Sequence, residues 1–278
     1  MGMQAVSNYW IKTLRRYRAT RLPAALVLAA AGFLVIAGLP GGRPIAAAGL
    51  ALACLSAAML FIEFRLLDDL ATLPHDRRAH PDRVLVQADS LLPFCILLLA
   101  CFLGNLALVA AQPGPRYRLT VFLALHVAAL VWYGLILRRW IHPILGGHGV
   151  LAKYPVMVFL VSGASRDHGG LIPAMAMVYL AFAIYEVLHD HSLHAALARA
   201  LPVEIALLFI ASALMPLELL GRGTSMVSLQ TLLAVAGALA LGEIFGRRQM
   251  HLRISWTSYL VFVIVAVQIV TFTWGVRR

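Results

Sequence analysis

Charge is what this chain has least of. Only 13% of its 278 residues are Asp, Glu, Lys or Arg, where a soluble domain carries about a quarter. The hydrophobic share is 62% and the mean hydropathy is +0.86. That deficit excludes a soluble globular enzyme and implies an integral membrane protein. Cysteine is scarce too: Cys54, Cys95 and Cys101 all lie inside apolar runs. Neither their number nor their placement suits a disulfide framework or a zinc ribbon, so they read as small core residues. No soluble domain and no internal repeat is evident. A secretory signal is not expected at the N-terminus, because the basic region there is long and the apolar run after it is of spanning length. The sequence Ala-Gly-Leu-Pro-Gly-Gly-Arg-Pro that follows reads as a turn into the next span.

What is present is a basic, apolar chain. The net charge of +11 is spread over short segments between apolar runs, which argues against nucleic acid as a partner and for anionic lipid headgroups or a phosphorylated substrate. Residues 1–21 combine Lys12, Arg15, Arg16, Arg18 and Arg21 with Tyr9, Trp10, Ile11, Leu14 and Tyr17, as expected of an amphipathic helix on cytoplasmic headgroups. Residues 22–278 form the membrane domain. Apolar runs long enough to cross about 30 Å of hydrocarbon lie near 22–39, 45–67, 91–111, 119–137, 150–165, 171–188, 202–220, 226–245 and 255–275. The fold class is therefore all-α, a polytopic bundle of about nine transmembrane helices, with the short segment at 150–165 tilted or re-entrant. With the N-terminus inside, sixteen Lys and Arg fall on the inner segments and seven on the outer ones, which orients the chain with its N-terminus in the cytoplasm.

Against this apolar background, 65–83 (RLLDDLATLPHDRRAHPDR) stands out, with four of the twelve acidic residues of the chain. On a continuous helix, positions 68, 72 and 76 share one face, so Asp68, Asp69 and Asp76 could converge on a cation such as Mg²⁺, which takes one or two carboxylates together with substrate phosphates. Two features oppose a simple ladder: position 72 is Thr, and Pro74 should bend or end the helix before Asp76. The alternative is a solvated loop whose acids pair with Arg77, Arg78 and Arg83. A second acidic pair, Glu186 and Asp190, has helical i, i+4 spacing at the end of another apolar run and could grip the same or a second cation. His189, His191 and His194 crowd that turn; zinc is an alternative there, weakened because no second group of nitrogen or sulfur ligands accompanies them. Arg138, in the loop after the fourth run, could hold diphosphate oxygens or serve as an ordinary inner-loop cation. Asn105, His126 and Gln268 lie within spans and must face protein or water. Each is expected to make an interhelical hydrogen bond.

Nine spans, one acidic site after span 2 and another after span 6 resemble the UbiA superfamily of intramembrane prenyltransferases, whose hallmarks are N-D-x-x-D-x-x-x-D and D-x-x-x-D. The first motif maps to Asp68, Asp69, Thr72 and Asp76, the second to Glu186 and Asp190. The likeness is greater to a divergent bacterial branch with R-x-x-D-E and D-R-R-x-x-P-x-R, read here as Arg65, Asp68, Asp69, then Asp76, Arg77, Arg78, Pro81 and Arg83, with Arg138 five residues before Pro143. The resemblance implies a Mg²⁺-dependent enzyme of the bacterial inner membrane, with its active site on the cytoplasmic side. It would transfer a prenyl group from an isoprenoid diphosphate to an aromatic or other lipophilic acceptor. Asp68, Asp69, Asp76, Glu186 and Asp190 would be the metal-binding, catalytic carboxylates, and Arg77, Arg78, Arg138 and Thr72 would meet the diphosphate. Thr72 departs from the usual Asp, Glu186 from the first Asp of the second motif, and Asp68 from the usual Asn. Two alternatives stay open: a terpene cyclase that needs no external acceptor, and a lipid or ion carrier that keeps the fold without the chemistry.

Overall fold

The structure is a computed structural model that describes residues 3–38, 46–112, 115–134, 143–162 and 171–189, together with 203 and 207. Among these residues there is no strand. The helices are α1 (Met3–Arg21), α2 (Ala24–Gly38), α3 (Ala47–Ala71), α4 (Leu73–Ala79), α5 (Leu92–Ala110), α6 (Pro115–Gly134), α7 (Pro143–Leu151), α8 (Lys153–Val161) and α9 (Leu171–His189). They fall into two compact units: α1, α2 through Val35, and α3 to α6 in the first; the end of α2 with α7, α8 and α9 in the second.

In the first unit, α3, α5 and α6 are each long and apolar enough to cross a membrane. The 25 residues of α3 reach about 37 Å, more than the hydrocarbon thickness. One side of α3 buries Ala57, Leu60, Phe61 and Phe64, at helical i, i+3, i+4, i+7 spacing, while Leu50, Leu52 and Leu55 are exposed. On α5, Phe94, Cys101, Asn105 and Val109 are buried, whereas Leu92, Ile96, Leu99 and Leu103 are exposed. Large apolar side chains exposed along whole helices belong to a molecule whose outer surface meets lipid. Gly104 permits the close approach of α3 and α5, since a Cβ there would collide with the Met59 methyl.

Pro23 separates α1 from α2, which are bent by 62°. α1 lies against the first unit through the Tyr17 ring, edge-on to Phe94 at 5.2 Å, and through Tyr9, whose hydroxyl accepts the Asp89 backbone N–H at 2.7 Å. Its opposite side exposes Lys12, Arg15 and Arg16.

In the second unit the short segment expected near 150–165 holds the nine-residue helix α8 and is preceded by a second nine-residue helix, α7, which ends at Leu151. They break at Ala152 because Pro155 has no N–H to donate to the Leu151 carbonyl. Tyr154 on α8 stacks on Phe182 of α9, with ring centroids 3.5 Å apart, and Tyr179 of α9 shares a 2.8 Å hydrogen bond with His148 Nδ1 of α7. These tyrosines tie the helices of the second unit together. Gly38, at the end of α2, sits where a Cβ would lie 3.0 Å from the Val158 carbonyl oxygen. The segments expected at 202–220, 226–245 and 255–275 lie outside the described residues, apart from Val203 and Leu207, which are helical.

Candidate functional site at the end of α3

The acidic motif is not one continuous helix. α3 ends at Ala71, Thr72 forms the joint, and α4 begins at Leu73 with Pro74 in its first turn. A proline at that position lacks the N–H that would bond the Leu70 carbonyl, so the helix is interrupted before Asp76. Thr72 bridges the joint: its Oγ1 donates to the Asp68 carbonyl at 3.0 Å and approaches Asp76 Oδ2 at 3.4 Å, and its backbone carbonyl accepts the Asp76 N–H at 2.9 Å. In place of the missing middle carboxylate stands a hydroxyl that joins the Asp68 backbone carbonyl to the Asp76 carboxylate.

Asp69 and Asp76 are both buried, at 5% and 4% exposure. Such groups at the edge of an apolar bundle require compensation, and each has it from an arginine. Arg21, at the end of α1, holds Asp69 in two places: Nη2 to Oδ1 at 2.5 Å and Nε to Oδ2 at 3.0 Å. This is the bidentate fork that matches a carboxylate. The Tyr17 hydroxyl donates to the same Oδ2 at 2.9 Å. Burial pushes the Tyr17 hydroxyl well above the usual tyrosine range, and the Asp69 charge adds to this, so it stays a donor. Arg65 Nε stands 3.9 Å from Asp69 Oδ1, one turn back on α3. Asp76 is paired with Arg83. Asp68 is half-buried, and Arg77 and Arg78 are exposed on α4.

Sequence alone placed Arg21 and Tyr17 among residues of a headgroup-facing helix; the structure turns both onto Asp69. The signal was their i, i+4 spacing, which sets them on one face of α1, opposite Lys12, Arg15 and Arg16. A further residue escaped notice. Glu63, a lone carboxylate within the apolar run of α3, is 1% exposed and accepts from Asn105 of α5 and pairs with His126 of α6. Asn105 and His126 thus make the interhelical bonds expected of them, and Glu63 is the shared partner. A single acid in mid-span is itself the signal.

In the second unit, Glu186 lies half-buried on the last turns of α9. Asp190 and Arg138 lie outside the described residues, as do Gln268, His191 and His194. Among the described residues no three His, Cys, Asp or Glu side chains gather as a metal cage. The oxygen-only donor set at α3–α4 is nonetheless of the kind Mg²⁺ takes, and that ion is commonly held by one or two carboxylates with the remainder from phosphate and water.

No family model and no curated protein matches the sequence. Among solved structures, the chain is similar to the apo structure of a UbiA homolog from Aeropyrum pernix K1, with a TM-score of 0.64 and 18% identity over 89% of this chain and 98% of that one. The protein is an all-α integral membrane protein with the fold of that UbiA homolog.

Proposed function

We propose that the protein is a Mg²⁺-dependent intramembrane prenyltransferase acting on an isoprenoid diphosphate and a lipophilic acceptor, with its acidic motif at the cytoplasmic surface of a bacterial inner membrane. The observation that carries this reading is the pair of inward-turned carboxylates, Asp69 and Asp76, at the end of a membrane helix in a chain with the fold of a UbiA homolog. Two buried acids at a membrane edge are costly to keep, and a ligand role accounts for keeping them. Asp68, Asp69 and Asp76 would supply one set of metal ligands, and Glu186 and Asp190 the other. A bound Mg²⁺ would neutralise the departing diphosphate.

The chain's own residues have definite tasks in this reading. Arg77 and Arg78, exposed on α4 beside Asp76, are free to reach phosphate oxygens with planar guanidinium forks, and Arg138 would do the same from its loop. Thr72 keeps its hydroxyl within 3.4 Å of Asp76 and would steady that carboxylate. Arg21 and Arg83 neutralise Asp69 and Asp76 until a cation replaces them. The apolar bundle would keep water from the allylic cation formed when the carbon–oxygen bond breaks.

A second reading is favoured by two observations: guanidinium groups already balance both buried acids, and Thr72 stands where the family motif has Asp. In that reading the protein is a carrier that retains the fold without catalysis. Purified protein incubated with labelled prenyl diphosphates of several chain lengths, with and without Mg²⁺, separates the two. Metal-dependent diphosphate release that vanishes in Asp69→Ala and Asp190→Ala is expected; no release at any chain length supports the carrier. A cyclised prenyl product formed with no acceptor adduct would identify a cyclase.

A further inference from the structure

The first unit holds a polar cluster that the acidic motif does not explain. Glu63 lies six residues before Asp69 on α3, about 9 Å along the helix axis. Its Oε1 is 2.6 Å from Nε2 of His126 on α6, and its Oε2 accepts from Asn105 Nδ2 on α5 at 2.8 Å. Asn105 Oδ1 in turn accepts from Ser56 Oγ at 3.3 Å. The surroundings are apolar: the His126 ring packs among Phe64, Phe102 and Phe122, at centroid distances of 5.1, 4.9 and 4.3 Å. Exposure of the two side chains is 1% for Glu63 and 13% for His126.

The number of protons in this pair follows from what surrounds it. His126 Nδ1 lies 2.8 Å from the Phe122 backbone carbonyl oxygen. A carbonyl only accepts, so Nδ1 carries a hydrogen. Between Nε2 and Oε1 there must then be one more. With none, a nitrogen lone pair faces an oxygen lone pair; with two, donor faces donor. Held on oxygen, that proton makes a carboxylic acid beside a neutral imidazole. Held on nitrogen, it makes a carboxylate beside an imidazolium. Either way the pair carries no net charge, the state an apolar interior tolerates.

We propose that Glu63 and His126 form an intramembrane proton-binding site, holding a single proton between them, and that this proton fastens α6 to α3 behind the acidic motif. The other oxygen of Glu63 is committed to Asn105, and among the described residues no second donor bonds Oε1 in place of His126. Around the pair, Ser56 lies on α3, and Asn105 and Cys101 on α5. On α6 the buried Arg118 lies two turns before His126, bonded to Gln112, and α2 carries no titratable side chain. Removing the proton leaves a buried carboxylate facing a lone pair, and the contact opens.

The test uses the full-length protein in lipid nanodiscs, observed by infrared spectroscopy and by nitrogen NMR of labelled histidine, with the His126 signals assigned by their loss in His126→Gln. At neutral pH one proton is expected. The first acceptable form is a carboxyl carbonyl band that shifts in D2O and vanishes in Glu63→Gln, with a neutral imidazole at His126. The second is an imidazolium at His126 with no such band. A carboxylate beside a neutral imidazole, or a carboxylic acid beside an imidazolium, overturns the proposal. Alkaline pH should lower the melting temperature of the wild type more than that of Glu63→Gln, whose amide N–H donates to Nε2 permanently. A parallel decline in both proteins refutes the fastening role. Should Glu63→Gln not fold, carboxyl-carbon and imidazole-nitrogen shifts of the labelled wild type count the proton without that variant.

Discussion

Arg21 and Asp69 show what a single ion pair can determine here. Arg21 reaches Asp69 across 48 positions of sequence, and Tyr17 completes the carboxylate's surroundings. Because Asp69 is buried, removing its partners should cost more than at a surface pair. Tyr17→Phe is expected to lose about 1 kcal/mol, and Arg21→Ala about 3 kcal/mol, the latter leaving an uncompensated buried charge; denaturant titration of the detergent-solubilised protein measures both. Asn105→Leu should lose about 1–3 kcal/mol by the same method, since Glu63 Oε2 then has no donor. An unchanged midpoint in Arg21→Ala would show that Asp69 is satisfied by other means. Arg21 has a second expected effect. If Mg²⁺ competes with it for Asp69, Arg21→Gln should raise metal affinity severalfold, read from the Mg²⁺ concentration at half-maximal diphosphate release.

At the scale of the elements, prolines set the joints and glycines the approaches. Pro74 and Pro155 each remove one helical hydrogen bond, and they lie two and three residues beyond the joints at Thr72 and Ala152 respectively. Two glycines predict contrasting outcomes. At Gly38 a Cβ would meet the Val158 backbone oxygen at 3.0 Å, which cannot yield, so Gly38→Ala should destabilise by about 1–3 kcal/mol. At Gly104 the obstacle is the mobile end of Met59, so Gly104→Ala should cost less, and Met59→Ala in the same chain should relieve it. Thermal melts of the three variants rank these effects. Much of this level was legible in the sequence: apolar runs gave the positions of α2, α3, α5, α6 and α9, and Pro74 announced the break before Asp76. The site was less legible. Periodicity tells which residues share a face of one helix, but not which helix lies opposite. Arg21 and Glu63 therefore read as a headgroup cation and a residue of an apolar run until α1, α5 and α6 supplied their partners.

For the molecule as a whole, the exposed leucines of α3 and α5 and the inward polar groups Ser56, Glu63, Asn105 and Asp69 describe a protein turned outside in relative to a soluble one, as lipid requires. The fold is that of a UbiA homolog, and a fold hosts a function only through its site. The most direct measurement is equilibrium binding of a non-hydrolysable prenyl diphosphate analogue to the full-length protein, by calorimetry with and without Mg²⁺. Mg²⁺-dependent binding that weakens at least tenfold in both Asp76→Asn and Glu186→Gln is the predicted result. Binding that ignores the metal, or that either substitution leaves unchanged, would contradict it.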